Sequence, residues 1–388
     1  MAEWAPSVKR VAQTDDSQSK AFINGLLSER RYDEALKEAE LILSRDPDNF
    51  AGLFAKARAY QGKKEFAPAV DAFRAASRVD PMHSGAHLLC GICAFMIADK
   101  ALAEEKFEAS ISTDGTRPGG YVGLAQLQWQ RGDAANARHN LDKALEINPD
   151  LSVAIFLRAM IDMREGQHNS AVEALQGQVQ RNPDHRVSVL ALSTAYTRAG
   201  RDAEAEALLS RLYEKSPDPM IAGSLAKARI ATGQYAEAEA LLRSATGGDA
   251  NRMIMAVREL QLTEALIPQG KLDEARAILN RMPRFGPFSA PIHLRTAELL
   301  VAEGSLQQAI LSYRAALQQT DKGKELITTV EKELLANGLQ NDPEAAIRAY
   351  SQAGEEASAA MRQSAGDRDW QGLFKNYSSM MSGLAETE

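Results

Sequence analysis

Cysteine is almost missing. Two cysteines in 388 residues cannot build a disulfide framework, which points to a reducing compartment or indifference to redox state. Long apolar runs are missing too. The longest stretch, residues 86–98, is interrupted by His87 and is too short to span a bilayer, so it reads as a buried core helix. No run of five or six like charges occurs, so there is no polybasic footprint for nucleic acid or anionic lipid. Met1 to Asp16 hold no apolar segment of signal-peptide type, and a cytoplasmic location is expected. The sequence has no Gly-rich phosphate loop, His-Glu-x-x-His helix or nucleophile elbow, so no catalysis, cofactor or metal is expected. Aromatics are scarce at 6%.

What is present is ordinary globular chemistry with a helical bias. Hydrophobic residues at 45% and charged residues at 25% exclude a disordered chain. The net charge is -7, with both signs interspersed. About one residue in six is alanine, and alanine loses no side-chain entropy on entering a helix.

The order of those alanines is the main signal. Ala35, Ala69, Ala103, Ala137, Ala171 and Ala205 stand 34 residues apart. Twelve residues beyond five of them come Pro47, Pro81, Pro149, Pro183 and Pro217, with Gly115 in the remaining place. Gly132, Gly166 and Gly200 precede their alanines by five residues, and Ala39, Phe73, Phe107, Leu141, Leu175 and Leu209 follow by four. A fixed period of this size means a solenoid of repeated units. Between successive prolines lie two apolar-periodic segments of about a dozen residues, enough for two helices. Glycine turns the chain between them. The alanine lies early in the second helix, where a small side chain lets two axes approach. Asp or Asn before Pro stops that helix, because proline disfavours the α conformation in its predecessor.

This pattern resembles the tetratricopeptide repeat family. Residues 50–83 carry the resemblance best, with Leu53, Ala57, Tyr60, Ala69, Phe73, Ala76 and Pro81 in the family's packing places. The resemblance implies an all-α, right-handed α-solenoid, a superhelix of nine to ten helix-turn-helix repeats. Repeats one to six occupy 16–219 in strict register, behind a tail of residues 1–15. Repeats seven to nine occupy 220–326, marked by Gly233 with Ala238, Gly270 with Ala275 and Gly304 with Ala309. Short insertions are expected at 246–249 and 283–291. A degenerate tenth unit is expected over 327–360, with Ala346 and Tyr350 in its marker places. Trp370, Leu373, Phe374, Tyr377, Met380, Met381 and Leu384 form one helical stripe. Residues 361–388 are therefore read as a helix that caps the last repeat, with docking into the groove as the alternative.

One constellation invites a chemical reading. His83, His87, Cys90 and Cys93 lie close together, and Cys-x-x-Cys can be a redox or metal motif. A straight helix spreads them over about 15 Å, too far to close round one tetrahedral zinc. Gly91 holds the repeat's own small-residue place, so the two cysteines are read as buried core.

In the resembled family, first helices line a concave surface through positions 2, 5, 9 and 12 of each unit. The places and their neighbours give a candidate partner-binding groove of Phe54, Arg58, Leu88, Leu89, Ile92, Phe95, Met96, Val122, Gln126 and Trp129, continuing through Phe156, Leu157, Met160, Met163, Arg164, Leu190 and Thr194. Most are apolar, and methionine adds adaptability. The other reading of the same stripe is packing between repeats. Some family members hold a chaperone tail's C-terminal carboxylate in a clamp of lysines, asparagines and arginine. Lys20 and Asn24 match its first two places, but Ala55, Gly85 and Leu89 stand in the other three, so such tails are not expected partners.

The function expected from the resemblance is a non-catalytic scaffold or adaptor that binds a partner's amphipathic helix or extended apolar peptide in the groove. The alternative is a regulatory or targeting subunit of an enzyme, or of a cell-surface assembly or secretion machine, bound through the convex face. Neither reading involves nucleic acid, a membrane span or a cofactor.

Overall fold

The computed structural model describes residues 20–245, 252–282 and 288–358. The N-terminal tail, the core of both insertions and the Trp370 to Leu384 stripe lie outside the described residues. Within them the chain is all helix, with no strand, and it divides into two compact units, residues 20–161 and 162–358.

In the first unit, α1 (20–28) pairs with α2 (Tyr32–Arg45) and α3 (Phe50–Gly62) with α4 (Phe66–Val79). There too α5 (Ser84–Met96) pairs with α6 (Lys100–Thr113) and α7 (Gly119–Gln130) with α8 (Ala134–Ile147). The next helix, α9 (Ser152–Arg164), begins in this unit and ends in the second. The second unit continues with α10 (His168–Arg181), α11 (Arg186–Arg198), α12 (Asp202–Lys215), α13 (Pro219–Ala231) and α14 (Tyr235–Ser244). It ends with α15 (Arg252–Leu266), α16 (Leu272–Arg281), α17 (Ser289–Ala302), α18 (Leu306–Leu317), α19 (Asp321–Ala336) and α20 (343–358).

The sequence markers have direct structural causes. The nine alanines from Ala35 to Ala309 at the repeat step are wholly buried, and the residue four places on, larger in all but Ala39, is buried too. An alanine there leaves no side chain to hold the helix axes apart. Within each pair, the chain turns through one residue in the left-handed region: Gly132 (φ 82°), Gly166 (78°), Gly200 (72°) and their later counterparts through Gly338 (69°). The first three pairs put Arg30 (61°), Lys64 (63°) and Ala98 (62°) in that place. Left-handed backbone costs an L-residue about 1 kcal/mol that glycine avoids. The turn persists there because its backbone hydrogen bonds are the same, as with Asp99 N–H to Ala94 O at 2.9 Å and Asp133 N–H to Gln128 O at 2.9 Å.

Between pairs, the helix ends on an extended residue. Asp46, Asp80, Asp114, Asn148, Asn182 and Ser216 have φ between -126° and -148°. Five precede proline. Asp114 precedes Gly115 and stops its helix by other means: its carboxylate accepts from Thr116 N–H (3.0 Å), Thr116 hydroxyl (2.6 Å) and Arg117 Nε (2.8 Å). The last pair starts earlier than 327, because Thr320 Oγ1 accepts from Gly323 N–H at 3.0 Å and caps α19. Ala346 and Tyr350 are buried on α20 against Leu326, Ile327 and Val330.

Candidate functional site

The local rules that start α3 also build a cleft. Asp46 stops α2, and the Asn49 side chain accepts from Gly52 N–H at 3.0 Å, so the helix begins at Phe50. Phe54 follows one turn later, and the two rings stack with centroids 5.5 Å apart. His83 caps α5 through Nδ1, which accepts from Ala86 N–H at 3.0 Å. That bond leaves the imidazole proton on Nε2. The His83 ring lies 4.7 Å from Phe50 and 5.2 Å from Phe54, whose other edge meets Phe73 at 5.6 Å. The Phe50, Phe54 and His83 rings form one wall of an open cleft of about 570 Å³ within the first unit, with Phe73 buried outside its lining. Lys20 and Asn24 of α1, Arg58 of α3, and Asp114 and Arg117 beside α6 add polar groups. Asp114 is held below the usual carboxylate range, first by the Thr116 hydroxyl bond, then by Thr116 N–H and Arg117. As a charged group it orients Arg117 at the rim.

Three of the groove residues expected from the sequence line this cleft: Phe54, Arg58 and Leu89. Leu88, Ile92, Val122, Gln126, Trp129, Leu157 and Met160 are buried, as is Met163 in the second unit. They are interior packing. Leu88, for example, lies so close to Gly119 that a Cβ there would fall 2.5 Å from its Cδ2. Phe95, Met96 and Phe156 are half-buried, as are Arg164 and Leu190 in the second unit, where Thr194 is exposed. Most of the apolar members of the stripe thus lie inside.

The five clamp places do converge, since Lys20, Asn24, Ala55, Gly85 and Leu89 all line the cleft. Three of them are apolar, and further positive charge comes from Arg58 and Arg117. Phe50, Met82, His83, Asp114 and Arg117 were not among the expected groove residues, because they lie at or near the ends of the 34-residue units, outside helix positions 5, 9 and 12. For Asp114 and Arg117 the signal was the departure from pattern at Gly115, which stands in place of the proline of the Asp-Pro stop.

The Cys-x-x-Cys segment is core. Both thiols are buried, with Cys90 Sγ 3.9 Å from Val70 O. Burial pushes the Cys90 thiol up to about 11 and that of Cys93 higher still, away from a reactive thiolate. His83 is occupied as a cap, and His87 Nε2 lies 3.0 Å from Pro81 O. Among the described residues no three metal-capable side chains gather, and no described helix is long and apolar enough to cross a membrane.

Paired helices joined by a left-handed turn, stacked at a 34-residue step about buried alanines, define a helix-pair repeat protein. The family comparison agrees. A tetratricopeptide repeat-like domain matches residues 188–337, and tetratricopeptide repeat models match 54–118, 119–151 and 156–218. The chain belongs to the tetratricopeptide repeat family. No curated protein matches the sequence. Similar solved structures include a tetratricopeptide repeat protein from Parabacteroides merdae (14% identity, 64% of this chain and 99% of that one, TM-score 0.47). PilF of Pseudomonas aeruginosa is another (16%, 53% and 93%, TM-score 0.47). A third is YrrB, a tetratricopeptide repeat protein with an unusual peptide-binding site (16%, 47% and 94%, TM-score 0.38).

Proposed function

We propose that the protein is a non-catalytic scaffold or adaptor that holds a segment of a partner protein in the cleft of its first unit. Its fold is that of a family whose members bind proteins and peptides. The observation that carries the finer reading is the Phe50–Phe54–His83 wall, an apolar and aromatic surface facing an open cleft. Aromatic side chains offer large contact area at small entropic cost, which suits them to anchor a bound segment. The charged residues lining the cleft are Lys20, Arg58 and Arg117 against Asp114, so cations outnumber anions in its lining. The segment it favours carries an apolar or aromatic anchor beside acidic residues, in an extended or helical peptide.

Selection of random peptides on the purified protein tests this reading. Enriched sequences should share an anchor residue flanked by Asp or Glu, and should bind Phe50→Ala and Arg58→Glu variants at least about tenfold more weakly. Arg243→Glu in the second unit should bind as the parent does. Enriched peptides that bind all three variants equally would remove the cleft from consideration.

A further inference from the structure

The first unit has a second open cleft of about 570 Å³, which shares no lining residue with the aromatic one. Asp71, Arg74, Ser77 and Arg78 enter it from α4, His87 from α5 and Lys106 from α6. Arg74 and Arg78 stand one turn apart on the same face of α4. Both are exposed, and neither forms an ion pair among the described residues. Lys106 is paired with Glu105 at 2.8 Å. Three cations therefore meet two carboxylates, Asp71 at the lining and Glu105 behind Lys106.

The deeper groups carry the argument. Ser77 and His87 are 7% and 8% exposed, yet neither Ser77 Oγ nor His87 Nδ1 has a hydrogen-bond partner. Buried polar groups are nearly always paired, and an unpaired one marks a place where a partner is absent. His87 Nε2 lies 3.0 Å from Pro81 O, so it carries the ring proton and donates. Nδ1 is then the acceptor of the ring. The Ser77 hydroxyl can donate.

An occupant that satisfies the whole set needs negative charge for the arginines and Lys106, an acceptor for Ser77, and a proton to share with His87 Nδ1. A phosphoryl group has all three. Its second ionisation lies near neutrality, at about 6, so a phosphate oxygen can carry the O–H that donates to Nδ1. Sulfate and carboxylate are unprotonated at neutral pH and bring no proton. Arginine at two places one turn apart also suits a tetrahedral anion, because each guanidinium can present two parallel donors.

We propose that this cleft, formed by Arg74, Ser77, Arg78, His87 and Lys106, binds a phosphoryl group, as free phosphate or as a small phosphate monoester. The site is independent of the aromatic cleft and adds a second ligand class to a protein-binding scaffold.

Calorimetric titration of the full chain in phosphate-free buffer provides the test, with inorganic phosphate, O-phosphoserine and sulfate as probes. One saturable site per chain is expected for phosphate or phosphoserine, with sulfate weaker by roughly tenfold. Saturation by inorganic phosphate would identify the free anion as sufficient, and saturation by phosphoserine alone would identify the ester. Arg74→Ala with Arg78→Ala should abolish binding while helicity and melting temperature are kept. Ser77→Ala, which leaves the surface charge intact, should weaken it. Absence of saturation by both phosphate probes up to about 10 mM, equal binding of sulfate, or undiminished binding by the double arginine variant would overturn the proposal.

Discussion

Phe107 shows how tightly single residues are constrained. It packs between α5 and α7 against two glycines, and a Cβ on Gly91 or Gly123 would come within 2.7 Å or 2.5 Å of its ring. Gly123→Ala should therefore overpack the contact and cost about 1–3 kcal/mol, measured by urea denaturation. Ala98→Gly should act in the other direction. It relieves a φ of 62° and should gain up to about 1 kcal/mol, less whatever freedom glycine adds to the unfolded chain. The buried thiols set a pH dependence. Their folded pKa values lie above the ordinary value of 9.0, so their contribution to stability is whole below about pH 9. It is lost as pH rises through about 11 for Cys90. Stability measured from roughly pH 8 to pH 10 should fall more steeply in the parent than in Cys90→Ala with Cys93→Ala. Equal slopes would mean the thiols are not desolvated. That the cysteines are core was legible from Gly91's place in the repeat. The clasp on Phe107 was not, because its glycines come from two helices whose rotational phase only packing sets.

Helices and turns were the most legible level. The 34-residue step located the pairs because each marker does a fixed physical job: alanine permits close approach, Asx-Pro stops a helix, and glycine reverses the chain. Where a marker fails, another residue takes up the job. Arg30, Lys64 and Ala98 accept the left-handed turn, and Asp114 stops α6 without proline. Asp114→Ala should therefore fray the α6 end. Its signature would be faster amide hydrogen exchange at Asp114, Thr116 and Arg117, with the neighbouring pairs unchanged. Unaltered exchange there would assign the stop to backbone alone. Sequence reasoning set the last pair too late because it followed Ala346 and Tyr350. Gly338 repeats the turn of Gly304 after 34 residues, and that spacing was the better guide. The site was less legible than the fold. Helix positions 5 and 9 gave Phe54 and Arg58, and Leu89 was named as a neighbour of the stripe, but the cleft is also lined by residues at the joins between repeats, which helical periodicity does not register.

At the scale of the molecule, contacts within each unit run between helices adjacent or nearly adjacent in the chain, as from α2 to α8 and from α10 to α19. Stability should then behave as a sum over pairs and their interfaces, without one cooperative core. Urea unfolding should show an m-value below that of a two-state protein of 388 residues, and hydrogen exchange should open in segments. A single transition with a full-length m-value would contradict this.

The same adjacency bears on how the chain comes into being. Few favourable contacts need to wait for a distant partner, because the surface that completes a helix pair is encoded in the next thirty or so residues. On the ribosome, α2 can settle against α3 while the second unit is still untranslated, and each newly emerged pair finds a finished template behind it. The exposed apolar face of the growing chain is then never more than about one repeat wide. A length of 388 residues can thus be reached without the long-lived, half-collapsed intermediates that burden globular chains of that size.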